Sequence, residues 1–220
     1  MSKFDYSDTN WEAIRRLSRW YSGDIHDCLN DLGIHGHLKG IRLFGSLADN
    51  QTVCGPAVTV QFVPSTRRNQ PQDVYHNAID NVPQNGVLVV ESSCAEGSCT
   101  GELMCSGAKT HGAAATVVNG TVRDIAQVRA LGYPLFALGL NPVGPSGKLE
   151  PAFSQVPVSF GGVTICPGDV IFGDLNGVVV IPKYLVGTIA DAADACGEGE
   201  GAARDRILAG ERLQAIWPAK

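Results

Sequence analysis

The sequence predicts a mixed α/β fold in which a parallel βαβ half is followed by an antiparallel half and closed by C-terminal helices. Three observations support this. Between residues 53 and 138, short β-branched runs alternate with helical stretches of about ten residues, the pattern of parallel strands joined by right-handed crossovers. After Asn141 the helices stop, and short β runs are punctuated by Gly161-Gly162, Pro167-Gly168 and Asn176-Gly177. Glycine is abundant, 26 of 220 residues, without a repeat or low-complexity tract, as expected of many tight turns.

The elements follow in order. Residues 10–20 read as a helix, with Asn10 as N-cap and Ile14, Leu17 and Trp20 on one face. A second helix runs from Ser22 to about Gly33, a suitable C′ glycine. Residues 53–63 read as a strand, its β-branched run Val58-Thr59-Val60 flanked by Pro56 and Pro64. Then come a helix at 72–82, a buried strand at 86–90, a helix at 101–110, a strand at 113–118, a helix at 122–131 and a strand at 134–138. A loop, Asn141 to Lys148, leads to β runs at 156–160, 163–166, 169–173 and 177–181, expected as a meander or a small barrel-like sheet. One or two helices close the chain from Tyr184 to about Gly210. No linker is visible, so 1–220 is expected as one domain with an N-terminal helical extension (1–21) and a C-terminal helical tail (184–220).

Composition excludes several classes. Hydrophobic residues are 44% and charged residues 18%, the profile of a globular chain rather than a disordered one. The net charge of −5 argues against a general nucleic-acid binder. No run approaches a membrane span, and the polar N-terminus lacks an apolar targeting core, so a cytoplasmic protein is expected. Seven cysteines without a CxxC pair favour free thiols in a reducing compartment.

The densest polar cluster in the apolar middle is Asn119-Gly-Thr-Val-Arg123-Asp124, beyond a predicted strand, where parallel α/β sheets place ligands. The strand before it feeds a glycine-containing loop and the helix start Gly101-Glu102-Leu103-Met104. Such a start offers unpaired amides and the positive end of the helix dipole to a small anion. With the two strands as neighbours, amides at 101–104 and Arg123 suit a carboxylate and an adjacent carbonyl. Asp124, ionised beside a cation, could ligate Mg²⁺ or Mn²⁺, hard ions that keep waters and take other oxygens from the substrate. On spacing alone, an Arg-Asp pair at a helix start is more often a solvated ion pair.

Other candidates read as structural. His35 and His37 lack a third ligand and read as loop histidines. His111 reads as a helix C-terminal capping residue, and Asp24, Asp27 and Asp31 as a solvated helix face. Cys94, Cys99 and Cys105 have no histidine placed to activate them and read as small buried hydrophobes. Lys109 is not needed as a Schiff base.

Four motifs in order resemble the RraA-like family: Gly101–Met104, Gly120–Asp124, Val158–Asp169 and Asp174–Pro182. The resemblance runs from about Ser22 to Gly210. That family includes 4-hydroxy-4-methyl-2-oxoglutarate and 4-carboxy-4-hydroxy-2-oxoadipate aldolases, which also decarboxylate oxaloacetate. It also includes a non-catalytic regulator of ribonuclease E, and members misnamed as menaquinone methyltransferases. The resemblance implies a swivelling β/β/α fold, a homotrimer or a hexamer of two trimers, and active sites at subunit interfaces. It implies that the amides of Gly101, Glu102, Leu103 and Met104 hold the pyruvyl carboxylate of a 2-oxo acid. Arg123 would then stabilise the enolate and Asp124 ligate Mg²⁺. An acid from a neighbouring subunit's C-terminal helix, Glu200 or the nearby Glu198, would hold metal-bound water.

Two positions depart from the family pattern. Asn119 stands where many members have Asp, and His111 where a basic residue is common. The non-catalytic regulator lacks an acid at the place of Asp124, so a chain with both Arg123 and Asp124 reads as a class II aldolase. The rivals are a regulatory protein-binding relative and a dedicated oxaloacetate decarboxylase.

Overall fold

The computed structural model describes residues 5–92 and 96–216, apart from the side chain of Glu198. The elements in chain order are α1 (Trp11–Leu17), α2 (Ser22–Asp31), β1 (Arg42–Leu43), β2 (Val53–Pro64), α3 (Asp73–Asp80), β3 (Val87–Glu91), β4 (Ser98–Thr100), α4 (Glu102–Thr110), β5 (Ala115–Val122) and α5 (Ile125–Leu131). They continue as β6 (Leu135–Leu140), β7 (Leu149–Ser154), β8 (Val158–Phe160), β9 (Val163–Ile165), β10 (Val170–Asp174), β11 (Gly177–Ile181), a 3-10 turn (Lys183–Leu185), α6 (Val186–Leu208) and α7 (Leu213–Ile216).

One nine-stranded sheet runs in the order β1-β6-β5-β3-β2-β10-β11, with β4 added to β5 and β7 to β2. The pairs β2–β3, β3–β5 and β5–β6 are parallel, and β10 and β11 extend the sheet antiparallel from β2. The sheet then curls until its edges meet. The segment before β1 lies along β11: Leu38 N donates to Val178 O (3.0 Å) and Val180 N to Gly36 O (2.9 Å). Since β1 itself pairs with β6, the result is a nearly closed barrel. Residues 156–181 form two antiparallel hairpins: β10–β11 completes the barrel shared with the parallel strands, and β8–β9 stands apart.

Strand periodicity divides the core. Val87, Val89, Ala115, Val117, Phe136, Ile171 and Val178 fill the barrel, and Phe160 and Ile165 of the β8–β9 hairpin pack with them. The alternate residues Leu88, Val90, Val118 and Leu135 face outward under α3, α4 and α5. Phe172, Val179 and Ile181 face α1, α2 and α6 on the other flank. Strands covered on both faces read as continuous apolar runs, which is why these were visible in the sequence.

Caps behave as the sequence suggests. Asn10 accepts from Ala13 N (3.0 Å) at the start of α1, and Gly33 follows α2 in the left-handed region, φ 72°. Asp174, 6% exposed, ties α2 to the barrel: it accepts from Ser22 N, Ser22 Oγ and Asn176 N, each at 2.8 Å. Replacing Asp174 by alanine orphans these donors. A loss of about 3 kcal/mol in urea unfolding is expected, without change in the sheet's circular dichroism.

Three boundaries differ from expectation. β5 continues through Val122, and α5 begins only at Ile125, because Thr121 and Val122 still pair with Gly139 and Leu140 of β6. β4 lies inside the stretch expected as a loop, and β7 lies before the first β run expected after the 141–148 loop. Among the described residues no helix is long and apolar enough to cross a membrane.

Candidate active site

β3 and β5 are parallel neighbours, so their carboxyl ends open on the same rim of the barrel. The unexpected β4 completes the rim. Ser98 pairs with Thr121 and Thr100 with Val122, which lays Gly101 and the first turn of α4 against Arg123 and Asp124. Arg123 N donates to Thr100 O (3.1 Å), locking the two segments together.

Asp124 adopts the left-handed conformation, φ 60° and ψ 35°. That turn ends β5, and Asp124 O accepts from Val128 N (3.0 Å) as α5 starts. The side chain does not cap its own helix. Instead Asp124 Oδ2 accepts from Glu102 N (3.2 Å) at the start of α4, while Arg123 Nε lies 3.5 Å from the same oxygen. Non-glycine residues held in this region cluster at functional sites. Among the described residues, Asp124 Oδ1 and the amides of Leu103 and Met104 have no hydrogen-bond partner.

The absence of a side chain at Gly101 is what lets the Asp124 carboxylate reach the start of α4. A Cβ there would collide with Asp124 Oδ2 and lie 3.2 Å from Arg123 Cγ. The backbone at 101 is extended, φ −145°, so an alanine is accepted conformationally and its cost falls on the site. Gly101→Ala is expected to lower turnover about 10²-fold, with little change in melting temperature, because displacement of a catalytic group by about 1 Å has that effect.

These residues line a cavity of about 430 Å³ together with Asn69, Gln70, Gln72, His76 and the Gly144–Ser146 turn. A larger cleft, about 970 Å³, lies near the amino ends of the parallel strands, yet Arg15 is its single charged lining residue. The smaller cavity sits where α/β sheets bind ligands and holds the paired charges. The thiols near it are inert: burial pushes Cys99 up to about 11 and Cys105 up to about 12.

The remaining candidates fall elsewhere. Glu200 lies on α6 in a separate cleft with Asp24, Asp27 and Cys28, so within one chain it does not meet Asp124. The side chain of Glu198, and Cys94 altogether, lie outside the described residues. His111 occupies the C-cap of α4, and the Lys109 ammonium donates to Leu131 O. His37 bridges to Val179, its ring edge-on to that of His26. Sequence reasoning missed Gln70, His76 and Gly144, which reach the cavity only through tertiary folding.

The implied divalent cation can be tested against the donors present. Among the described residues no three His, Cys, Asp or Glu side chains converge on one point. The cavity instead offers one carboxylate, Asp124, with an oxygen to spare. That set fits a hard ion such as Mg²⁺ or Mn²⁺, which retains water and takes oxygens from its substrate, and does not fit zinc.

A family model described as RraA-like, Aldolase/RraA, matches residues 22–180. The chain belongs to the RraA-like family. Protein DlpA of Legionella pneumophila is 34% identical to this RraA-like chain over 213 residues, covering 94% of it; the chain spans only 34% of that relative's length. A Halalkalibacterium halodurans protein named "Putative 4-hydroxy-4-methyl-2-oxoglutarate aldolase" is 38% identical over 160 residues, 71% of each chain. Among solved structures, Streptomyces coelicolor RraAS2, titled an unusual member of the RNase ES inhibitor RraA protein family, superposes with TM-score 0.82 at 33% identity. That match covers 90% of this RraA-like chain and 99% of the other.

Proposed function

We propose that this protein is a divalent-metal-dependent aldolase that cleaves 4-hydroxy-2-oxo acids to pyruvate and a second oxo acid, with oxaloacetate decarboxylation as a side activity. One observation carries the reading: Asp124 is turned into the left-handed region so that its carboxylate meets the start of α4 beside Arg123, instead of capping α5.

In such a cleavage the C3–C4 bond breaks and its electron pair moves onto the C2 oxygen as an enolate. The C4 hydroxyl gives up its proton to solvent and becomes the carbonyl of the second product, and C3 of the enolate takes a proton from solvent to give pyruvate. The amides of Leu103 and Met104 take the C1 carboxylate at the positive end of the α4 dipole. Arg123 presents its guanidinium N–H groups to the C2 oxygen, where negative charge develops, and a preorganised donor of that kind is worth roughly 10²–10³ in rate. Asp124 would hold the divalent cation, which would supply Lewis-acid polarisation of the substrate. Loss of CO₂ from oxaloacetate yields the same enolate, so one set of groups serves both reactions.

Glu200 enters from a neighbouring subunit in this reading, which makes a trimer or hexamer the active form. A second reading, a metal-independent protein-binding regulator, is favoured by the RNase ES inhibitor family named for the S. coelicolor relative. Coupling pyruvate formation to lactate dehydrogenase separates the two. Pyruvate released from 4-hydroxy-4-methyl-2-oxoglutarate and from oxaloacetate with Mg²⁺, and abolished by EDTA, is the expected result. Silence on both substrates favours the regulator.

A further inference from the structure

Gln70 stands in the wall of the Arg123–Asp124 cavity and is 8% exposed. The two ends of its amide are used unequally. Nε2 donates to the carbonyls of Leu149 and of Pro145 (3.2 Å), which fixes how the amide is turned. Oε1 is shut off from water and, among the described residues, receives no hydrogen bond. Folded proteins leave few buried acceptors in that condition, because an unmet acceptor disfavours the fold. The other such atom among the described residues, Gln155 Oε1, belongs to a residue that does not line this cavity.

The substrate class supplies what Gln70 lacks. In an ionised 4-hydroxy-2-oxo acid the carboxylates and the 2-oxo group are acceptors only, and the C4 hydroxyl is the one O–H donor. With the pyruvyl end at α4 and Arg123, the rest of the substrate meets the other residues that line the cavity, Gln70 among them. A residue with an acceptor that has no donor thus lines the cavity that the substrate's one donor enters. We propose that Gln70 is the residue that recognises the C4 hydroxyl, Oε1 accepting its hydrogen bond as the 69–72 wall shifts on binding. This rests on the aldolase reading above and adds a specificity determinant to it. Sites that hydrogen-bond a substrate hydroxyl discriminate against analogues without one, and keto-oxaloacetate is such an analogue.

The test is the ratio of kcat/KM for 4-hydroxy-4-methyl-2-oxoglutarate to that for oxaloacetate, with Mg²⁺, in wild type and in Gln70→Met. Methionine keeps the length of the side chain and removes the acceptor. A ratio lowered about tenfold, the worth of one hydrogen bond, is expected. Both substrates are read on one preparation, so partial unfolding cancels. An unchanged ratio, even with both rates depressed, overturns the proposal and leaves Gln70 as a brace for the 145–149 turn. If Gln70→Met does not fold, Gln70→Glu keeps an acceptor and must hold the ratio within about twofold; a tenfold fall there overturns the proposal too. Wild type active on oxaloacetate alone refutes hydroxyl recognition while the enolate-stabilising site stands. Wild type silent on both substrates refutes the aldolase reading itself, and this inference with it.

Discussion

Replacing Asp124 by asparagine is expected to reduce Mg²⁺-dependent pyruvate release to the level seen with EDTA, a fall of at least about 10²-fold. Asparagine keeps the shape of the side chain and tolerates the left-handed backbone at 124, and its carbonyl can still accept from Glu102 N (3.2 Å in the wild type). What it loses is the charge that a hard cation requires. The fold should therefore survive, with a melting temperature within a few degrees of wild type. Near-wild-type turnover of Asp124→Asn at saturating Mg²⁺ would remove Asp124 from the metal site.

Arg123→Ala is expected to lower kcat by roughly 10²–10³, the contribution of one preorganised donor to a developing oxyanion. Its structural cost is small, because the side chain is 43% exposed and its ion pair with Asp124 is loose at 3.5 Å. Exposed pairs of this kind contribute about 0–1 kcal/mol. Lysine at 123 should restore only part of the rate, since a point charge does not reproduce the planar fork of donors. The diagnostic comparison is kcat against thermal unfolding. A large drop in melting temperature with unchanged specific activity would return Arg123 to a structural role.

The parallel half was legible because its central strands β3 and β5 are buried on both faces for most of their length. Val87–Val90 and Ala115–Val118 show as apolar runs without reference to any partner. β4 was not legible. Ser98-Cys99-Thr100 carries no alternation of its own, and its strand character comes from pairing with Thr121 and Val122. β7 was hidden by Pro151, which an edge position beside the register shift at Gln61 and Phe62 accommodates. The site divides in the same way. Gly101, Arg123 and Asp124 form local motifs whose residue types announce anion and cation chemistry. Gln70 and His76 are ordinary in the sequence, and only the packing of α3 and the 144–146 turn brings them to the cavity. The turn at Asp124 was foreshadowed only as a helix start, since a left-handed aspartate leaves no signature distinct from an N-cap.

The most direct measurement follows 4-hydroxy-4-methyl-2-oxoglutarate by proton NMR in D₂O with Mg²⁺. Aldol cleavage of this substrate yields two molecules of pyruvate. One arises from the C4 half with its methyl group intact, and the other arises from the enolate and acquires one deuteron from solvent. Two pyruvates per substrate, an initial one-to-one mixture of CH₃ and CH₂D signals, and no reaction with EDTA are the predicted result. Intact substrate in the presence of Mg²⁺, or cleavage indifferent to EDTA, would contradict metal-assisted enolate formation at Arg123 and Asp124.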